Sequence, residues 1–133
     1  MSANFSIKVD PVRNLVRIEM SGLFATADIA AFVEARRRAH ARLRCPPNAH
    51  LTLNDVRGMK IQHQEQVADF QAMLADPDYR SRRLAFVAAP TLARAQLARA
   101  LAGRPDTRLF DDLAEAEAWL LGAEEEPALR RVG

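Results

Sequence analysis

Polar residues that could bind a ligand or do chemistry follow a short apolar run, HLTLNDV, at residues 50–56. The run predicts a buried strand, with Asn54 and Asp55 at its end and Arg57 directly after it. Ligands of open α/β sheets bind at the carboxyl ends of parallel strands, so these three residues are the first candidates for a site. The alternative is structural, because Asp55 and Arg57 could simply pair with each other or with loop amides.

A second candidate pair is Arg36 and His40, one turn apart on the first predicted helix. Both fall within the apolar stripe of that helix, which is formed by Ile29, Phe32, Val33, Ala39 and Leu43. They could lie at the edge of the stripe, with the arginine stem buried and its guanidinium in water. Alternatively, they could face a pocket or a partner, and the sequence leaves both readings open.

His63 lies just before the next predicted helix, where it could accept a phosphoryl group, cap the helix or face solvent. The chain has three histidines, none four residues from another, and a single cysteine, Cys45. Zinc ligation and an internal disulfide are therefore not expected. The sequence also lacks a phosphate-binding glycine loop, a G-x-S-x-G elbow and an HExxH helix. We expect a protein that is not an enzyme and needs no cofactor or metal.

The composition is that of an ordinary soluble domain, with 49% hydrophobic and 27% charged residues. No apolar run is long enough to cross a bilayer, and the first residues do not read as a secretory signal, so a cytoplasmic location is expected. The net charge is +2 and the pI about 9.2. The six phenylalanines are predicted to lie mostly at inward positions and so are not offered beside the arginines for base stacking, and nucleic acid is therefore not expected as a partner.

The rest of the chain alternates strands with helices. The apolar patterns predict one domain over residues 1–122, ordered β-β-α-β-α-β-α-β-α. Single helices between strands predict a parallel sheet, and an opening hairpin adds an antiparallel N-terminal edge strand, making a mixed α/β sheet of about five strands with covering helices. Residues 80–83 are predicted to be an exposed basic connector, and residues 123–133 a flexible tail. The predicted strands are 5–9, 14–20, 50–56, 84–88 and 107–110, and the predicted helices are 26–43, 64–75, 91–102 and 112–122.

This order, together with the segments LTLNDVRGMKIQ, RLAFVAAP and TRLFDDLAEAEAWLL, resembles the SpoIIAA-like proteins, a bacterial branch of the STAS and SEC14-related fold. Asp55-Val56-Arg57 is similar to the Asp-x-Arg at the end of that family's central strand. Related anti-sigma-factor antagonists bind a kinase and are switched by phosphorylation of a serine at the start of the following helix. Here that region reads IQHQEQ, without serine or threonine, so the resemblance does not extend to this switch.

The resemblance implies a non-enzymatic STAS-like regulatory or binding module that acts through an unidentified protein partner or self-association. An alternative is a carrier or sensor of a small apolar ligand such as a lipid, as in SEC14-related proteins. A third possibility is an enzyme with a site around Asp55, Arg57 and His63. The candidate binding residues are therefore Asn54, Asp55, Arg57, His63, Arg36 and His40.

Overall fold

The computed structural model describes residues 2–122, which form one five-stranded sheet covered by helices on both faces. The predicted tail, residues 123–133, lies outside the described residues. The strands are β1 (Asn4–Asp10), β2 (Leu15–Gly22), β3 (Leu51–Met59), β4 (Arg83–Val87) and β5 (Thr107–Phe110). The helices are α1 (Thr26–His40), α2 (Gln64–Leu74), α3 (Leu92–Ala100) and α4 (Leu113–Gly122), with a short 3-10 helix at Pro77–Tyr79.

The strands lie in the sheet in chain order, with β1 antiparallel to β2 and every later pair parallel. The predicted mixed sheet with an antiparallel N-terminal edge strand is confirmed. Successive right-handed crossovers that step in one direction place their helices on one face of a sheet. Accordingly α1, α2 and α3 share one face, called the α1–α3 face below, and α4 covers the other, called the α4 face.

The opening hairpin turns on Asp10, whose Oδ1 accepts hydrogen bonds from the backbone N–H groups of Val12 and Arg13 at 3.1 and 3.2 Å. Asn14 completes the turn with a φ of 51°, a left-handed conformation that asparagine tolerates better than most residues. The alternating pattern of β2 then sends Leu15 to the α4 face, and Val16 and Ile18 to the α1–α3 face. The two faces therefore have separate hydrophobic cores, formed by alternate residues of the same strands.

The α4 face is closely packed. Ala116 and Leu120 on α4 are 0% exposed and lie over Leu53, Ala85 and Val87 of the central strands. Asp112 starts the helix by accepting a hydrogen bond from the Ala114 N–H at 2.8 Å, a bond that aspartate commonly makes as a helix N-cap.

The α1–α3 face is packed unevenly. Phe24, on the approach to α1, and Phe32 within α1 are almost completely buried. Along α2, in contrast, the only buried side chain is Gln66, and α3 has none among its described residues. Helices α2 and α3 therefore lie over the sheet but bury fewer side chains against it than α1 does.

Two local predictions are wrong. β3 extends beyond residue 56 to Met59, so Asn54, Asp55 and Arg57 lie inside a strand. The extension pairs Gly58 with Ser21 of β2, where a Cβ on Gly58 would lie 2.8 Å from the Ser21 Cβ. Residues 80–83 are not an exposed basic connector, because only Arg80 is exposed and Ser81 bonds to residues near β3.

The other boundaries differ from prediction by a few residues. α1 ends at His40 instead of residue 43, and α3 begins after Thr91 and ends at Ala100. In the described part of the chain, no helix is long and apolar enough to cross a membrane.

Candidate ligand-binding site

A partly open cavity of about 130 Å³ lies between the central strands and helices α1, α2 and α3. Its walls are mostly apolar, with side chains that include Met20, Val67, Phe70, Leu84, Phe86 and Leu97. An apolar cavity of roughly 150 Å³ in another protein holds benzene, which sets the scale of a ligand that could fit without movement of the helices.

Asn54 projects into this cavity from the middle of β3. The pleat of the strand sends Thr52, Asn54 and Val56 toward the cavity, and Leu51 and Leu53 toward α4. Asn54 is only 6% exposed, and its Oδ1 has no hydrogen-bond partner among the described residues. An unsatisfied buried polar atom costs about 1–3 kcal/mol, so a ligand that supplies a donor here would recover stability.

Arg36 and His40 line the same cavity from α1. Arg36 is 7% exposed, and its guanidinium carbon lies 4.3 Å from the centre of the Tyr79 ring. Its Nη1 donates to the carbonyl oxygen of Met73 at 3.2 Å, and its Nη2 lies 3.9 Å from a carboxylate oxygen of Asp76. Burial lowers the pKa of Arg36, but an arginine still carries its charge at neutral pH. The guanidinium therefore brings positive charge inside the protein, instead of reaching water.

Beside this arginine lies a small polar cluster at the amino end of β3. The ring of His50 stands edge-on to that of His40, 4.5 Å between centroids, and Tyr79 contacts His40 at 5.0 Å. The Ser81 hydroxyl lies 3.2 Å from His50 Nε2 and 2.6 Å from the Thr52 hydroxyl. Burial is the main reason that the pKa of each histidine falls to about 4, with the nearby Arg36 charge as a further cause, so both rings are neutral at pH 7.

Arg104, at the start of the loop after α3, also lines the cavity. Its Nη2 donates to the carbonyl oxygen of Leu74 at 3.0 Å, next to the Met73 carbonyl that binds Arg36. The Nε atoms of Arg36 and Arg104 are both buried, and neither has a hydrogen-bond partner in the described structure. Two guanidinium groups therefore flank the end of α2.

The opposite end of the cavity is bounded by an interlocked pair of glutamines. The Gln62 N–H donates to Gln96 Oε1 and the Gln96 amide donates to the Gln62 carbonyl, both at 2.9 Å. The Gln62 side chain also accepts from the Phe24 N–H and donates to the carbonyl of Gly22. These bonds tie α3 to the loop before α2 and fix this rim of the cavity.

Asp55 and Arg57 lie away from the cavity and form an ion pair with each other. Arg57 Nε and Nη2 donate to the two carboxylate oxygens of Asp55 at 2.9 and 2.7 Å, which lowers the pKa of Asp55. Together with Phe5, Ser21 and Gly58, they border a shallow depression in the sheet. This is the mutual pairing that the sequence left open as an alternative.

His63 is exposed at the N-cap of α2, and its side chain makes no capping hydrogen bond within the described residues. It lines neither the cavity nor the depression. The structure thus brings Arg36, His40 and Asn54 together and leaves Asp55, Arg57 and His63 outside that group.

Sequence reasoning missed several residues of the site, namely His50, Tyr79, Ser81 and Arg104. The alternation in HLTLNDV does place His50, Thr52 and Asn54 on one face of the strand, which is a signal that could have been used. No comparable pattern marks the other three. No cluster of three metal-binding side chains is present in residues 2–122.

Neither a protein-family model nor a curated protein matches this sequence. Solved structures do match. An uncharacterised DUF3478 protein with a SpoIIAA-like fold from Shewanella loihica PV-4 has 15% identity and a TM-score of 0.70, over 90% of this chain and 96% of that one. An anti-sigma factor antagonist from Mycobacterium paratuberculosis has 13% identity and a TM-score of 0.62, over 90% and 94% of the two chains. The protein therefore has a SpoIIAA-like fold, as the sequence resemblance implies.

Proposed function

We propose that this protein is a non-enzymatic regulatory module of the STAS-like kind, whose cavity under α2 and α3 binds a small, largely apolar molecule. The observation that carries the proposal is the cavity itself, with the unpartnered Asn54 oxygen in its otherwise apolar wall. Few convergent polar groups in an apolar pocket are the usual composition of a ligand site.

A simple hydrophobic core explains the cavity less well. Protein interiors are close-packed, and a void forfeits dispersion contacts for every atom around it. Here the void coincides with a buried asparagine that lacks a partner and with two helices, α2 and α3, on which Gln66 is the only buried side chain. A bound molecule would compensate the missing contacts and the missing hydrogen bond together.

The test is ligand-dependent stability, with hexan-1-ol and benzene as probes. A molecule that binds only the folded state raises the unfolding midpoint with concentration. Ala93→Leu places a larger side chain in the cavity wall and should abolish this increase. Ala95→Leu makes the same change on the exposed side of α3 and is the matched control. If the wild-type midpoint responds to neither probe and also fails to respond to sodium hexanoate, the proposal is wrong.

The second candidate is binding of a protein partner, or of a second copy of the chain. It is favoured by the anti-sigma factor antagonist fold and by two exposed apolar residues, Ile61 at 50% and Leu92 at 74%. Both lie near the Gln62–Gln96 pair, because Ile61 precedes Gln62 and Leu92 is one turn before Gln96. Exposed apolar side chains in the same region of a surface are a mark of interaction sites.

Native mass spectrometry and sedimentation test this second candidate through self-association. Any oligomer should be lost in Ile61→Asp and Leu92→Asp, whereas Val12→Asp, in the hairpin turn and 86% exposed, should retain it. A wild-type protein that is monomeric at all concentrations, with no partner, would argue against this candidate.

A further inference from the structure

The charge of the cavity wall gives more information about its ligand. Among the described residues that line the cavity, none is aspartate or glutamate, and five carry a positive charge: Arg36, Lys60, Arg80, Arg94 and Arg104. A wall with charges of one sign favours a ligand of the opposite sign.

These cations differ in how far they are already neutralised. Arg80 pairs with Asp106 at 3.2 Å and Arg94 with Asp111 at 2.8 Å, near the protein surface. Arg36 has only a longer contact with Asp76, at 3.9 Å, and Arg104 donates to the Leu74 carbonyl. Arg36 and Arg104 are thus the guanidinium groups whose charge the described residues compensate least.

The same two groups also have unused hydrogen-bonding capacity. They bind consecutive carbonyls at the end of α2, whose partial negative charge favours cations, and each keeps a buried Nε–H without an acceptor. A guanidinium pairs with a carboxylate through strong, charge-assisted hydrogen bonds. A neutral ligand such as an alcohol would add no negative charge beside these two guanidinium groups.

We infer that the ligand is a small carboxylate with an apolar body, an inference that rests on the proposed cavity function. Its carboxylate contacts Arg36 and Arg104, and its apolar body lies against Phe70, Leu84 and Leu97. A cavity of this volume admits a molecule about the size of benzene or slightly larger, on the order of six to nine non-hydrogen atoms. Short-chain fatty acids and simple aromatic acids have this size and charge.

The experiment compares sodium hexanoate with hexan-1-ol by calorimetric titration of the full-length protein. The two probes share a six-carbon chain and differ in charge, and we expect hexanoate to bind at least about tenfold more tightly. Arg104→Gln should weaken hexanoate binding by roughly tenfold and leave hexan-1-ol binding unchanged. Arg99→Gln removes the same charge from the exposed side of α3 and should change hexanoate binding by less than about twofold.

Each alternative outcome has a distinct meaning. Equal binding of hexan-1-ol and hexanoate overturns the carboxylate inference and leaves the cavity function standing. Binding of neither probe overturns both. Hexanoate affinity that is unchanged in Arg104→Gln, or reduced equally in Arg99→Gln, also overturns the inference. Arg104→Gln is preferred to a change of Arg36, which is 7% exposed and could prevent folding.

Discussion

The two faces of the sheet are built from alternate residues of the same strands, yet they differ in kind. The core under α4 is apolar and closely packed, with Ala85, Val87, Ala116 and Leu120 all at 0% exposure. The α1–α3 face contains the cavity, the Asn54 oxygen without a hydrogen-bond partner and a buried arginine. Both faces contain buried core residues, but the unpartnered polar atoms and the cavity lie on the α1–α3 face.

β3 shows the contrast most clearly. Leu51 and Leu53 face α4, whereas Thr52 and Asn54 face the cavity, although all four residues are buried. Natural sequences often depart from close apolar packing at functional positions. Here these departures, the cavity and the buried polar atoms without partners, all lie on the α1–α3 face.

Acid should affect the α1–α3 face most strongly, because that face carries His40 and His50. The pKa of each ring is about 4 in the folded protein and near 6.5 when unfolded. As the pH falls from 6.5 to 4, the unfolded chain binds protons that the folded protein does not, so the free energy of unfolding decreases. The loss is at most about 3 kcal/mol per ring and stops near pH 4, below which both states are protonated.

Denaturant titrations at several pH values, followed by fluorescence of the single tryptophan, measure this slope. His50→Gln should flatten it, and His63→Gln, at an exposed position, is the matched control. Stability that stays constant between pH 7 and 4.5 would show that these rings are not buried as neutral groups.

Truncating one leucine on each face should show directly how the two faces differ in packing, through the unfolding free energy that each substitution costs. Leu120→Ala leaves a void in a closely packed region and should cost about 3 kcal/mol of unfolding free energy. Leu97→Ala only enlarges a cavity that already exists, and we expect a cost of about 1 kcal/mol or less. Equal costs, measured by chemical denaturation, would mean that the two faces are equally well packed.

Local patterns predicted the elements that local interactions determine. β5 begins and ends as predicted, α2 begins at Gln64 as predicted, and Asp112 caps α4. The end of β3 was wrong because its last residues pair with Ser21 and Gly22 of β2, a contact that the sequence of β3 does not encode.

The sequence identified site residues only where they fall within the periodic apolar pattern of a helix or within the apolar run of a strand. Arg36 and His40 were found because they interrupt the apolar stripe of α1, and Asn54 because it interrupts an apolar run. Tyr79 and Ser81 lie in the connection between α2 and β4, and Arg104 lies in the loop between α3 and β5. Only the folding of α2 and α3 over the sheet brings these two segments to the same cavity. Their role depends on tertiary contacts that have no counterpart in local spacing.

Two substitutions two residues apart in β3 should change the free energy of unfolding by small amounts in opposite directions. Asn54→Leu removes the unpartnered oxygen and adds apolar contacts in the cavity, so the free energy of unfolding without ligand should rise by about 1–2 kcal/mol. Thr52→Val, two residues away on the same face, breaks the 2.6 Å bond to Ser81 and should lower it by about 1 kcal/mol. If denaturation shows that Asn54→Leu is destabilising, then Asn54 is already satisfied, and the polar feature on which the proposed function rests would be lost.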